Sequence, residues 1–180
     1  TDLVHPCQIL ADVLTLRELG LFAPSLKLVY VGDGNNIANS WLELAEKFPM
    51  HLVLSCPPGY EPHPLILEQA RNAGVSSIEA VTDPAAAVRD ADAVYTDAWP
   101  SHREGIEEGR RQKVFRPYQV NANLLRSVKE GCVVMHRLPA NRGEEIASEV
   151  LDGPRSVVMA QAENRLHVQK GIMAALLAEG

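Results

Sequence analysis

The sequence predicts an α/β fold of three layers, αβα, with a mostly parallel, Rossmann-like sheet between the helices. Three observations predict it. Short apolar, β-branched runs recur along the chain, helix-like segments fill the gaps between them, and most runs are apolar at successive positions, as strands covered on both faces must be. The runs place strands at residues 26–31, 51–55, 77–80, 93–96, 132–136 and 157–160, six in one sheet.

In chain order, the first element is a helix over residues 8–19, whose Ile9, Leu10, Val13, Leu14, Leu16 and Leu19 make a wide apolar stripe. The first strand leads through Gly32-Asp33-Gly34 into a helix at 36–48, opened by the side-chain amides of Asn35 and Asn36. After the second strand, Pro57, Pro58, Pro62 and Pro64 stiffen a surface connection. A helix at 64–72 is closed by Gly74, one at 83–90 has Pro84 in its first turn, and two more occupy 121–127 and 144–151, the latter stopping before Gly153-Pro154. A last helix at 163–178 carries Leu166, Val168, Ile172, Met173, Leu176 and Leu177. Both end stripes are wider than a sheet contact needs; covering the sheet and facing a second body explain the pattern equally well.

Composition narrows the function. The 180 residues suit one compact domain, and 46% hydrophobic with 22% charged residues excludes a disordered or collagen-like chain. Seventeen Lys plus Arg against 23 Asp plus Glu leave a net charge of -6, without the broad cationic field of a nucleic-acid binder. No apolar run approaches the roughly 18 residues of a membrane span, and the first residues do not read as an export signal. Neither nucleic acid nor membrane is an expected partner. Cys7, Cys56 and Cys132 are too few and scattered for a disulfide framework and form no CxxC pair, which suits a reducing, cytoplasmic setting. The six histidines show no HxH or HExxH spacing, and neither a P-loop nor a GxSxG elbow occurs, so no metal is expected and two large enzyme classes are excluded.

Ligands in open α/β sheets bind beyond the carboxyl ends of the strands. Polar clusters follow four of the expected strands: 32–36, 97–103, 136–143 and 161–165, all four expected to converge on one rim. Gly32-Asp33-Gly34 begins like a dinucleotide fingerprint but lacks its third glycine, so no cofactor is expected.

Five segments carry a more specific signal. His5-Pro6-Cys7-Gln8 leads into a Leu-rich helix; Asp33-Gly34-Asn35-Asn36 follows a strand; Asp97-x-Trp99-x-Ser101, His136-x-Leu138-Pro139 and Glu163-Asn164-Arg165 come next. In order and spacing they resemble the ornithine carbamoyltransferases, over residues 2–177, and correspond to the second, ornithine-binding half of such an enzyme. The resemblance implies that residues 1–180 form one ornithine-binding domain. It implies transfer of a carbamoyl group from carbamoyl phosphate to L-ornithine, in a homotrimer, without metal or organic cofactor. It also implies a partner, the carbamoyl-phosphate-binding domain, whose Ser-x-Arg-Thr loop is not found among these residues.

The resemblance carries residue roles as well. His5 and Gln8, with Pro6 and Cys7, meet the carbamoyl phosphate; Arg165 pairs with its phosphate; the backbone at Arg137 and Leu138 holds the carbamoyl amide. Asn36 takes the ornithine carboxylate, and Asp97 with Ser101, beside His102, takes its α-ammonium group. His5, Gln8, Asp97 and Arg137 are the implied catalytic set. The chemistry suits them, because a neutral amine must attack, charge builds on the carbamoyl oxygen, and phosphate leaves.

Two positions depart from the family pattern: Ser101-His102-Arg103 replaces Ser-Met-Gly, and His136-Arg137-Leu138-Pro139 replaces His-Cys-Leu-Pro. A guanidinium about 4 Å from a protonated amine repels it by on the order of 4 kcal/mol at an effective dielectric near 20, so the direction of Arg137 decides its effect. Three readings stay open: the second half of an ornithine carbamoyltransferase, a non-catalytic amino-acid-binding or regulatory half, and a carbamoyltransferase for a more acidic acceptor such as an acylated ornithine or aspartate.

Overall fold

The structure, a computed structural model, describes residues 2–99 and 108–178. Five strands form one sheet: β1 (Lys27–Val31), β2 (His51–Ser55), β3 (Ser77–Ala80), β4 (Ala93–Thr96) and β5 (Val133–His136). All pairings are parallel, in the order β3-β2-β1-β4-β5. The helices are α1 (Pro6–Glu18), α2 (Asn36–Ala45), α3 (Pro64–Ala73), α4 (Pro84–Ala87), α5 (Glu108–Phe115), α6 (Ser148–Leu151) and α7 (Val158–Ala178).

Strand periodicity divides the core into two layers. Leu28 and Tyr30 of β1, Leu52 and Leu54 of β2 and Tyr95 of β4 face one side, where α1, α2 and α3 supply Leu16, Trp41, Leu42 and Ile66. Val29, Val31, Val53, Val94 and Val134 alternate to the other side and meet Val88, Leu124, Leu125, Val150 and Leu151. Helices thus cover both faces, and the three-layer expectation holds.

The sixth expected strand is a correction. Residues 157–160 are not a strand: Ser156 makes one isolated parallel bridge to Val134, and the chain turns into α7 at Val158. A short apolar run fits a buried helix turn as well as a strand, and the decision lies three residues on, where Val158, Gln161 and Asn164 repeat at helical spacing and are the buried residues of α7. Other boundaries contract. The helix expected at 121–127 is a 3-10 turn at Leu124–Ser127, those expected at 83–90 and 144–151 keep only α4 and α6, and α5 was not legible at all.

The end helices pack on each other. Gln161 Nε2 donates to Asp12 Oδ1 at 2.9 Å, and Asn164 Nδ2 reaches Thr15 Oγ1 at 3.0 Å and Glu18 Oε2 at 2.8 Å. The outer stripe of α7 stays uncovered, with Leu166, Met173, Leu176 and Leu177 exposed. No helix among the described residues is long and apolar enough to cross a membrane.

Candidate active site

The strand order locates the site. From β1 the chain moves outward through β2 and β3, then returns to the other side of β1 as β4, so the loops leaving β1 and β4 diverge and open a crevice at their carboxyl ends. A cavity of about 670 Å³ lies there, lined by Asp33 to Asn36, by Ala98 and Trp99, and by Arg137. Asp2 and Leu3 close one side and the 61–64 loop another. The proline-rich connection, read from sequence as a stiff surface connection, is therefore a wall of the site.

Close backbone approach explains the glycine at the β1–α2 turn. Gly34 N–H donates to Tyr60 O at 2.7 Å, and a Cβ at Gly34 would overlap backbone atoms of Glu61 and Pro62. Asn39 fastens the two neighbouring rims, donating to Leu3 O at 3.0 Å and accepting from His63 N–H at 2.9 Å.

Asn35 does two jobs with one amide. Its Oδ1 caps α2 by accepting from Ile37 N–H at 2.9 Å, while its Nδ2 donates to Asp97 Oδ2 at 2.7 Å. Sequence reasoning read Asn35 as an amide at the helix start but not as a partner of Asp97, although only an amide offers both an acceptor and a donor. Asn36 follows on the cavity wall, in the first turn of α2.

Asp97 and Arg137 stand side by side because of sheet register. Thr96 of β4 pairs with His136 of β5, so the next residue of each strand lies about one strand spacing, roughly 5 Å, from the other. Arg137 Nε donates to both oxygens of Asp97, each at 2.8 Å, and Ala98 N–H adds a bond to Oδ1 at 2.9 Å. Asp97 is 1% exposed and the Arg137 side chain 29%. Burial works against the guanidinium charge, but the Asp97 carboxylate outweighs it and holds the Arg137 pKa above its usual value. The open question of Arg137's direction is thus resolved: it faces Asp97.

The loop after β5 is braced from beneath. Leu138 N–H donates to His136 Nδ1 at 2.9 Å, which leaves the ring hydrogen on Nε2 to donate to Glu145 Oε1 at 3.0 Å. Asn141 N–H donates to the same oxygen at 2.6 Å, and His136 and Glu145 are both fully buried. Leu138 itself sits at φ 57°, in the left-handed region, half-buried. His136 is thus a structural support, and Glu145, missed from sequence, is its partner.

At the N-terminal end of α1, His5 is half-buried and its backbone N–H donates to Ser40 Oγ at 2.6 Å. Burial, then the charges of Arg137 and Arg165, push its imidazole below the usual pKa, which favours the neutral ring. Pro6, exposed, and Cys7, half-buried, form the first turn. Gln8 is turned inward: its Nε2 donates to Asp12 Oδ1 at 2.9 Å, and its Oε1 is buried without a hydrogen-bond partner among the described residues. Arg165, half-buried on α7, is not part of the cavity wall, so the polar cluster 161–165 expected at the rim is corrected: it lies within α7, whose Gln161 and Asn164 point at α1. Ser101, His102 and Arg103 lie outside the described residues.

Asp12 is the other group that sequence reasoning overlooked. It is fully buried and accepts from Gln8, Gln161 and, at 2.9 Å, from Tyr95 Oη. Burial pushes its pKa up to about 6 despite these three donors. Gln161 Oε1 in turn accepts from His136 N–H at 2.9 Å, so one network ties α1, β4, α7 and the loop after β5 together.

The same fold occurs in known proteins. A sequence profile described as "Aspartate/ornithine carbamoyltransferase, Asp/Orn binding domain" matches residues 25–176. The chain belongs to this family. An ornithine carbamoyltransferase of Syntrophus aciditrophicus is 54% identical over 177 residues, covering 98% of this chain and 59% of that protein. One from Chlorobaculum tepidum is 51% identical over 177 residues, covering 98% and 52%. Among solved structures, ornithine carbamoyltransferase from Pyrococcus furiosus matches with a TM-score of 0.89 at 45% identity, over 96% of this chain and 56% of that one. The anabolic ornithine carbamoyltransferase from Campylobacter jejuni matches with a TM-score of 0.91 at 30% identity, over 99% and 60%. The chain thus spans between half and two thirds of the length of these carbamoyltransferases, and the resemblance read from its five segments is confirmed at the level of the family.

Proposed function

We propose that residues 1–180 are the ornithine-binding domain of an ornithine carbamoyltransferase, and that they complete a site for making citrulline and phosphate from L-ornithine and carbamoyl phosphate. In that reaction the amine nitrogen bonds to the carbamoyl carbon, the carbon–oxygen bond to phosphate breaks, and the amine loses a proton. The observation that carries the reading is that Asn36 and Asn35 line a single crevice between β1 and β4, with the Asp97 carboxylate held by Asn35 directly behind that wall. An amide and a buried carboxylate there complement the two charged ends of an α-amino acid.

In this reading Asn36 takes the carboxylate, and Asp97 with Ser101, beside His102, the α-ammonium group. His5 meets the carbamoyl group as a neutral imidazole, Pro6 and Cys7 present the first turn of α1 to it, and Arg165 draws the phosphate. The backbone at Arg137 and Leu138, held by the His136–Glu145 pair, takes the carbamoyl amide. Gln8 must turn out from Asp12 to reach that group. The carbamoyl-phosphate-binding half docks on the uncovered stripe of α7, the complete enzyme is a homotrimer, and the reaction runs in the cytoplasm as part of arginine biosynthesis. No metal or organic cofactor takes part.

A more acidic acceptor is the less favoured alternative. The charge of Arg137 is already matched by Asp97, and the remaining ionisable residues of the described wall include Asp2, Asp33 and Glu61. The deciding experiment mixes this chain with a separately produced carbamoyl-phosphate-binding half and measures citrulline. Product supports the enzyme; ornithine binding without product under any pairing supports a non-catalytic half; stronger heat protection by aspartate or an acylated ornithine than by ornithine supports the acidic acceptor. Asp97→Ala should weaken ornithine binding by about 2 kcal/mol or more, and an unchanged affinity by calorimetry would remove Asp97 from the site.

A further inference from the structure

We propose that Arg137 sets the affinity of this site for its amino acid by occupying, from within the chain, the position on Asp97 that the substrate's ammonium group needs. The inference rests on the ornithine reading above and concerns a side chain that the family pattern does not have at this position.

A carboxylate offers about four acceptor directions. Those of Asp97 are largely taken by three donors: the single Nε–H of Arg137, shared between both oxygens, the Asn35 amide and Ala98 N–H. Arg137 lies on the cavity wall, whereas Asp97 does not, so a ligand entering the hollow meets the guanidinium before the carboxylate. The two partners differ in freedom. Asp97 is buried and held by Asn35 and its neighbour's backbone; Arg137 is partly exposed on a long stem, beside a cavity of about 670 Å³ with room for it to swing. The pairing is built in, because the Thr96–His136 register delivers both residues to the same spot.

Binding then becomes an exchange of cations on one carboxylate. An incoming ammonium group gains Asp97 only as Arg137 leaves it, so the measured affinity is the difference between two ion pairs. Asp33 and Glu61 on the same wall keep the hollow attractive to a cation, which gives the displaced guanidinium somewhere to go.

The test measures ornithine binding by calorimetry for the natural chain, Arg137→Ala and Arg137→Gln, with thermal melting to confirm folding; the glutamine variant keeps the length of the stem should the alanine variant not fold. Both variants are expected to bind ornithine at least tenfold more tightly than the natural chain. Methylguanidinium, added as a free probe, is expected to weaken ornithine binding competitively in Arg137→Ala and far less in the natural chain. Equal or weaker ornithine binding by folded variants overturns the exchange and leaves the ornithine reading in place. Absence of ornithine binding in every form overturns both.

Discussion

Replacing Asp12 by Asn removes one ionisable group from the buried network and should change how stability depends on pH. The carboxyl titrates near 3.8 when unfolded and is pushed up to about 6 by burial in the fold. A raised folded value means that the native state holds the proton more tightly. Asp12's contribution is therefore fully favourable below about pH 4 and is lost as pH rises to about 6, after which it levels off. Two units at about 1.4 kcal/mol each amount to a loss of about 3 kcal/mol across that window. In Asp12→Asn the amide oxygen can keep the bonds from Gln8 and Gln161, and the amide nitrogen can face Tyr95 Oη, so the network survives without the charge. Urea unfolding of both proteins from pH 4 to 7.5 isolates the effect, since every other titrating group cancels in the difference. The variant should gain on the natural chain by about 3 kcal/mol between pH 4 and 6.5. A difference independent of pH would show that Asp12 is not perturbed, and would refute the balance of burial over hydrogen bonding on which the number rests.

Two further substitutions probe the walls of the crevice. Gly34→Ala drives a methyl group into the backbone of Glu61 and Pro62, which cannot move aside as a side chain could; a loss of about 2 kcal/mol or more in denaturant unfolding is expected, together with weaker ornithine binding as the 61–64 wall shifts. Asn35→Asp keeps the cap on α2 but sets a second carboxylate against Asp97, where the amide now donates at 2.7 Å. Two carboxylates that close repel each other, so the variant should lose about 2 kcal/mol at neutral pH, read from thermal melting.

Much of the fold was legible because its signals are local. Buried parallel strands announce themselves as continuous apolar runs, and Gly74 and Pro84 by their backbone, Asn35 by its capping amide, mark helix ends. The misread run at 157–160 failed where local signals are degenerate, since four apolar residues satisfy either period until Gln161 and Asn164 are known to face inward. Within the site, Asn36, Asp97, Arg137 and His5 could be picked out as chemically capable residues in recognisable segments. Asp12 and Glu145 could not, because a lone acid in a helix or loop reads as surface charge until its burial is seen.

The sequence by itself determined the class of fold, the order of its elements and the kind of chemistry its turns could offer, since alternation, capping and backbone freedom are properties of neighbouring residues. The tertiary structure alone decided which polar groups meet. Asp12 finds donors 83 and 149 residues away, and Arg137 reaches Asp97 across 40, because strand order and parallel register bring distant segments together. Neither order nor register is written in the spacing of residues; both follow from how two apolar layers close over one sheet.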